Sequence, residues 1–581
     1  LPAGGEKKIH LRLTKKVKKK PFEGTDALFE KRIEEADAFY KIVQSETLRP
    51  EEIVVQRQAF ASLLWTKQLY YYDVKQWLDG DPAFPPPPKE RWEGRNHRWM
   101  NMVCFDIISM PDKWEYPWFA SWDLAFHCIP FVMIDPDYAK RMLTLMTREW
   151  YLHPNGQLPA YEWAYGDANP PVHAWAALRT YKIDAKITGK PDPAFLMEIY
   201  NKLLLNFTWW VNRKDSSGRN IFEGGFLGLD NISVFDRNQT MPEGGVLEQA
   251  DGTSWMGFFC LTMMKIGLEL SEFEPVYQDT AFKFFEHFMR IASAMNNCGG
   301  REYSLWDEKS RFFYDALRFP DGRIIPIEVH SLVGLLPLLA VETIEQEMLE
   351  KYPVFARRMQ WFIDNRPHLA KHIASASKPG SEGRHITSII NKEQLTDILK
   401  VMLDENLFLS HYGIRSVSKY HKEHPYVLKI DGQEFRVSYQ PGESESGLFG
   451  GNSNWRGPVW FPINFLLIES LQKYHHYYGD DLMVEFPTGS GNRMNLKDVA
   501  HELSRALCHL FLTSASGRRP IFGENTFLQQ EPYALFYEYF HGETGAGLGA
   551  SHQTGWTSLV AKLLQQSSRV RAEKGVEMEF F

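Results

Sequence analysis

DPDYAKRMLTLMTREW, residues 135–150, carries a complete helix signature. Asp135 is a side-chain acceptor of the kind that caps a helix start, and Pro136 fills the first turn, where its missing N–H costs nothing. Ala139, Met142, Met146 and Trp150 then recur at three- and four-residue spacing, so one face of the segment is apolar. The device repeats at Asp192-Pro193, followed by Leu196, Ile199, Leu203, Phe207 and Trp210. A third stripe runs Met256, Phe259, Met263, Ile266 and Leu270. Comparable patterns predict helices over about 26–45, 51–76, 277–295, 340–365, 394–403, 461–478, 495–514 and 555–567. The one strand-like alternation is Ile9, Leu11 and Leu13, near the start.

Long Gly/Pro/Asn-rich stretches separate these helices, among them FPPPPKERWEGRNH (84–97) and YLHPNGQLPAYEWAYGDANPP (151–171). Loops of that length inside a domain usually carry function. Helices joined by alternately short and long connections point to stacked hairpins closing into a ring, with the long loops on one face. No close internal sequence repeat accompanies the pattern. The expected fold over residues 21–581 is all-α, and its identification as an (α/α)6 toroid rests on helix count together with the family resemblance given below. Residues 1–20, a lone strand followed by the basic run KKVKKK (15–20), are expected to be a β remnant and linker from an upstream β domain.

The totals narrow the function. Burial is not limiting in 581 residues, and aromatics reach 14%, with 18 Trp, 25 Tyr and 39 Phe, enough for a large core and for stacking surfaces. A net charge of −8 argues against a nucleic-acid face, because neutralising phosphates takes a basic excess. Five cysteines, Cys104, Cys128, Cys260, Cys298 and Cys508, show neither CxxC spacing nor a disulfide framework, which fits a reducing, cytoplasmic setting. No apolar run is long enough for a bilayer span and no signal-peptide pattern opens the chain, so no membrane association is expected. Asn-x-Ser/Thr matches at Asn206, Asn231 and Asn238 are too short to establish secretion.

Three distant, aromatic-rich signatures remain: GGFLGLDN (224–231), GNSNWRGPVW (451–460) and YEYFHGETGAG (537–547). Each sets one ionisable side chain among glycines and rings. Glycoside cleavage needs one carboxyl group to protonate the leaving oxygen and a second carboxylate to activate water or attack carbon. Asp230 and Glu538 are the best pair, since both sit in glycine-bordered, aromatic loops; each taken alone also fits a loop carboxylate capping a helix. Trp122 and Asp123 in SWDLAFH (121–127) offer a ring and a carboxylate to clamp a hexose. Gln157, Tyr161 and Trp163 in PNGQLPAYEW add an amide, a phenol and an indole. Trp455, Arg456 and Trp460 combine a fixed cation with two indoles. Glu248 and Asp251 in LEQADGTSWM open the Met256 stripe, where Asp251 also suits a helix cap. Histidines show no HExxH spacing, and neither GGNSNWRG nor GETGAGLG continues into the Lys-Ser/Thr of a phosphate-cradling loop. No metal and no cofactor are expected.

At these residues the chain resembles glycoside hydrolase family 63, from EADAFY (35–40) through GASHQTGWTSL (549–559). The resemblance implies the (α/α)6 toroid, commonly preceded by a β-sandwich domain. It also implies inversion of anomeric configuration, with Asp230 as general acid and Glu538 as general base. Trp122, Asp123, Arg456 and Trp460 are then the sugar-subsite residues. The chain departs from the eukaryotic pattern at Leu229–Ser233 and at Glu248–Asp251, pointing away from the trisaccharide-processing specificity. The expected protein is an inverting, exo-acting α-glucosidase-like hydrolase acting on an oligosaccharide or small glucoside. Its rivals are a sugar phosphorylase or epimerase on the same fold, and a non-catalytic glycan-binding subunit.

Overall fold

The structure, a computed structural model, describes residues 1–213, 218–222, 232–235, 240–297, 303–370, 378–445, 453–552 and 554–574. Among the described residues about 48% are helical, with small sheets and no barrel. Asp135 caps the helix Pro136–Leu145 by accepting the Tyr138 N–H at 3.1 Å, and Asp192 accepts the Phe195 N–H at 3.2 Å at the head of Pro193–Arg213. Both Asp-Pro pairs therefore start helices for the reason the sequence indicates.

Two kinds of helix build the structure. Ser121–Ile134, Ala250–Leu270 and Phe461–Tyr478 bury nearly every face, as central helices must. Leu496–His509 instead buries one stripe, with Leu496, Val499, Ala500, Leu503 and Leu507 on it, and lies outside Phe461–Tyr478. Among the inner elements, Ser121–Ile134 packs on His173–Thr188, which packs on Ala250–Leu270. That helix meets the 3-10 turn Leu336–Leu339, which meets Phe461–Tyr478. Thr554–Thr557 contacts both Phe461–Tyr478 and Ser121–Ile134, so the series of contacts returns to where it started.

Several elements differ from the helical pattern. The predicted helix over 51–76 ends at Trp65, and Lys67–Asp73 pairs antiparallel with Val103–Ser109. KQLYYYD alternates buried Tyr70 and Tyr72 with exposed Leu69 and Tyr71, a two-residue period suited to β-prone aromatics on a ribbon. Over 340–365 the chain forms a strand, Val341–Ile344, then the helices Gln346–Lys351 and Pro353–Asn365, because Pro353 interrupts helical bonding. The all-α expectation thus needs correcting: short antiparallel ribbons brace the loops, including one of Val246–Glu248, Asp315–Arg318 and Ile324–Ile327. Residues 1–20 form neither helix nor strand. Ile9, Leu11 and Leu13 are exposed, and no strand pairs with them among the described residues.

Candidate active site

Glu538 owes its position to backbone pairing. The Glu538 N–H donates to Ala550 O at 2.8 Å, and the short ribbon Tyr539–Phe540 with Gly547–Leu548 continues the turn. Phe540 and Val459 exchange backbone hydrogen bonds at 3.0 and 2.8 Å. This bridge joins the second and third signatures and lays Trp460 on Tyr539, ring centroids 4.7 Å apart. Trp455 also stacks on Trp460, at 3.8 Å with 3° between the planes. The Trp460 indole donates to Asn454 O at 2.9 Å and the Trp556 indole to Glu538 O at 3.0 Å, so both buried indole N–H groups are satisfied.

The Glu538 carboxylate is buried among donors. Ser453 Oγ donates to Oε1; the Ala550 N–H donates to Oε2 at 3.1 Å and the Tyr116 phenol to Oε2 at 3.4 Å. Burial pushes its pKa above the ordinary glutamate value, and these three donors pull the other way without cancelling it. The result is a carboxylate with raised proton affinity, the property a general base requires.

Glu538 faces a cavity of about 210 Å³. Trp122, Asp123, Tyr161, Trp455 and Trp460 line it with Glu538, and Tyr116, Trp118, Asn169, Ser453 and Trp556 complete much of the wall. Trp122 and Asp123 reach it from the first turn of Ser121–Ile134, and Tyr161 through the backbone bridge it makes with Ala120. Six residues singled out in the sequence, from four separate segments, therefore meet at one opening. The other lining residues were missed, although Tyr116 and Trp118 stand in the aromatic run WEYPWF and Ser453 lies inside the second signature.

The remaining candidates sit elsewhere, and Asp230 lies outside the described residues. Gln157 donates to the carbonyls of Gly166 and Asp167 at 2.8 and 3.2 Å, bracing the loop behind the cavity rather than lining it. Trp163 is half exposed and carries the Arg95 guanidinium over its ring at 3.9 Å. Arg456 is buried and donates to Ser233 O at 2.9 Å; burial lowers its pKa to about 10. Its neighbour Trp455 lines the cavity, whereas Arg456 ties the second signature to the segment just after the first. Glu248 is buried in an ion cluster with Arg219 and Arg318, each at 2.7 Å, and with the Tyr303 phenol. Burial alone would raise its pKa, but these partners hold it below the usual glutamate value. Asp251 is fully buried in the first turn of Ala250–Leu270 and accepts the Gly252 N–H at 2.8 Å. Arg456, Glu248 and Asp251 are thus held by partners within the fold and are not among the described lining residues of the cavity. Of the Asn-x-Ser/Thr matches, Asn206 is buried and donates to Gly156 O, so it is closed to modification. Among the described residues, no helix is long and apolar enough to cross a membrane.

The domain family described as mannosylglycerate hydrolase MGH1-like glycoside hydrolase matches residues 116–240 and 386–557, just over half of the chain and including every signature. The chain belongs to this glycoside hydrolase family, and the resemblance to family 63 is borne out. Over 556 residues it is 52% identical to the uncharacterized protein YMR196W of Saccharomyces cerevisiae, covering 92% of this chain and 51% of that one. Over 175 residues it is 26% identical to a probable mannosyl-oligosaccharide glucosidase of Schizosaccharomyces pombe, covering 30% and 16%. The chain thus spans about half the length, or less, of these relatives. Among solved structures it is similar to the GH63 mannosylglycerate hydrolase from Thermus thermophilus in complex with glucose, with a TM-score of 0.47 and 15% identity over 79% of this chain and 95% of that one.

Proposed function

We propose that the chain is the catalytic part of an inverting, exo-acting glycoside hydrolase of the α-glucosidase type. The observation that carries this reading is Glu538, a buried carboxylate with raised proton affinity opening onto an indole-walled cavity. In the reaction a water beside the sugar gives its proton to Glu538 as its oxygen bonds to the anomeric carbon. Asp230 protonates the glycosidic oxygen, and the aglycone leaves from the opposite face. Such inversion needs the two carboxyl groups about 6.5–9.5 Å apart, leaving room for that water. Ser233, three positions after Asp230, is held by Arg456 beside the cavity-lining Trp455, which supports pairing the two acids.

Trp122 and Trp455 supply apolar ring surface, Trp460 backs Trp455, and Asp123 and Tyr161 supply acceptors and donors for sugar hydroxyls. The returning series of inner-helix contacts supports an (α/α)6 toroid over residues 21–581. A cytoplasmic protein is the setting that best suits Cys104, Cys128, Cys260 and Cys508, which are free among the described residues. The names of the matching proteins suggest two substrate groups, mannosylglycerate and mannosyl-oligosaccharides.

The test is an NMR time course with a panel of α-linked glucosides, glucosylglycerate and mannosylglycerate, with and without phosphate. Hydrolysis that releases the β-anomer first supports the reading. Release of the α-anomer, strict phosphate dependence, or sugar binding without cleavage of any panel member would overturn it.

A further inference from the structure

Asp112, Glu115 and His552 come from two loops far apart in the chain, yet one ligand atom from each lies within 4.8 Å of the other two. Asp112 is fully buried. Its Oδ1 accepts the N–H groups of Trp114 and Glu115 at 2.5 and 2.7 Å, while Oδ2 is buried with no hydrogen-bond partner among the described residues. A buried carboxylate oxygen without a donor is costly, and a cation relieves it. The neighbouring Lys113 is turned toward the Trp65 ring, its ammonium 5.7 Å from the centroid. Glu115 adds a second, exposed carboxylate beside Asp112. The cluster therefore holds more negative charge than its one imidazole balances.

We propose that Asp112, Glu115 and His552 bind a divalent transition-metal ion of the Zn²⁺ or Mn²⁺ class. Ca²⁺ and Mg²⁺ prefer all-oxygen ligand sets, whereas two carboxylates with an imidazole suit Zn²⁺ and Mn²⁺. Bonds of about 2.0–2.2 Å hold ligand atoms roughly 3–4 Å apart, so closure from the present separation takes a contraction of about 1 Å. Exposed Glu115 and partly exposed His552 have the freedom to make it.

The position gives the ion a task. Tyr116 directly follows Glu115, and the Asp112 N–H donates to Tyr116 O at 3.5 Å. His552 lies two residues beyond Ala550. The Tyr116 phenol and the Ala550 N–H both donate to Glu538 Oε2. An ion at this site clamps together the loops that hold that carboxylate; this consequence for turnover rests on the reading of Glu538 as base, whereas the site itself does not.

The experiment is calorimetric titration of the intact, chelator-treated protein with Zn²⁺, Mn²⁺, Ca²⁺ and Mg²⁺, with metal content by mass spectrometry. Both readouts are independent of glycoside cleavage. One Zn²⁺ or Mn²⁺ per chain is expected, with affinity reduced roughly tenfold or more in Asp112→Asn and in His552→Ala. His552→Ala and Glu115→Gln alter more accessible side chains and keep the test decisive if Asp112→Asn does not fold. Absence of stoichiometric binding, preference for Ca²⁺ or Mg²⁺, or binding unchanged in the folded variants would overturn the proposal.

Discussion

Gly549 leaves no room for a β-carbon against Glu538: one built on its backbone stands 2.9 Å from Glu538 Cβ and closer still to Oε2. Gly549 also has φ +67, a conformation that side chains disfavour. Gly549→Ala therefore has to displace the carboxylate. Displacements of about 1 Å in a catalytic group cost on the order of 10²-fold in rate. Steady-state kinetics of the variant should show that loss in kcat, with a drop in stability of about 2–5 kcal/mol from left-handed strain and overpacking together.

Glu538→Gln should abolish most turnover while the protein stays folded, and Asp230→Asn should do the same. The pH profile gives a second check. Because the Glu538 pKa is raised, the acidic limb of kcat/KM should lie above the value of roughly 4.3 of an ordinary glutamate. The sign for stability follows: the fold favours the protonated acid, so its contribution is full below the unfolded pKa and is lost as pH rises toward the folded one. Thermal melts of Glu538→Gln should lack that decline, and a decline equal to that of the wild type would count against the assignment.

Trp455→Ala removes one member of the stacked indole pair and opens a cavity beside Trp460, an expected cost of about 3–5 kcal/mol. Trp455→Phe keeps an aromatic face and should retain most of that stability. If the ring also holds the sugar, KM rises in both variants and more in Trp455→Ala; denaturant unfolding and KM measured together separate the two effects.

Glu248→Ala leaves Arg219 and Arg318 without their shared carboxylate, which should destabilise the fold by on the order of 3 kcal/mol. KM should stay near the wild-type value, because Glu248 is outside the described lining of the cavity. Its pKa is depressed, so its stabilisation is present above the unfolded pKa and is lost as pH falls through the folded one. Acid melts of the wild type and Glu248→Ala should therefore converge at low pH.

Apolar stripes marked the helices, although the one that starts at Asp135 ends at Leu145, short of Met146 and Trp150. Phe461–Tyr478 occupies the predicted span, and Asp135 and Asp192 cap as expected. Lys67–Asp73 was misread because it continues an apolar helix, and only its pairing with Val103–Ser109 selects the strand. At the site, residue types stood out where rings and glycines surrounded a charge, as at Glu538, Trp455 and Trp460. Arg456 and Glu248 had the same look in sequence. The fold gives one to the Ser233 carbonyl and the other to two arginines.

The sequence by itself determined the helical periodicity, the caps and the residue types that surround Glu538, because these depend on spacing along one chain. Tertiary structure alone decided which carboxylates face an opening and which are consumed by partners. Tyr116, Ser453 and Ala550 converge on Glu538, and Asp112 meets His552, through contacts between segments distant in the chain. The physical reason is that burial and hydrogen-bond partnership, which set a carboxylate's proton affinity, belong to the three-dimensional neighbourhood and not to the local chain.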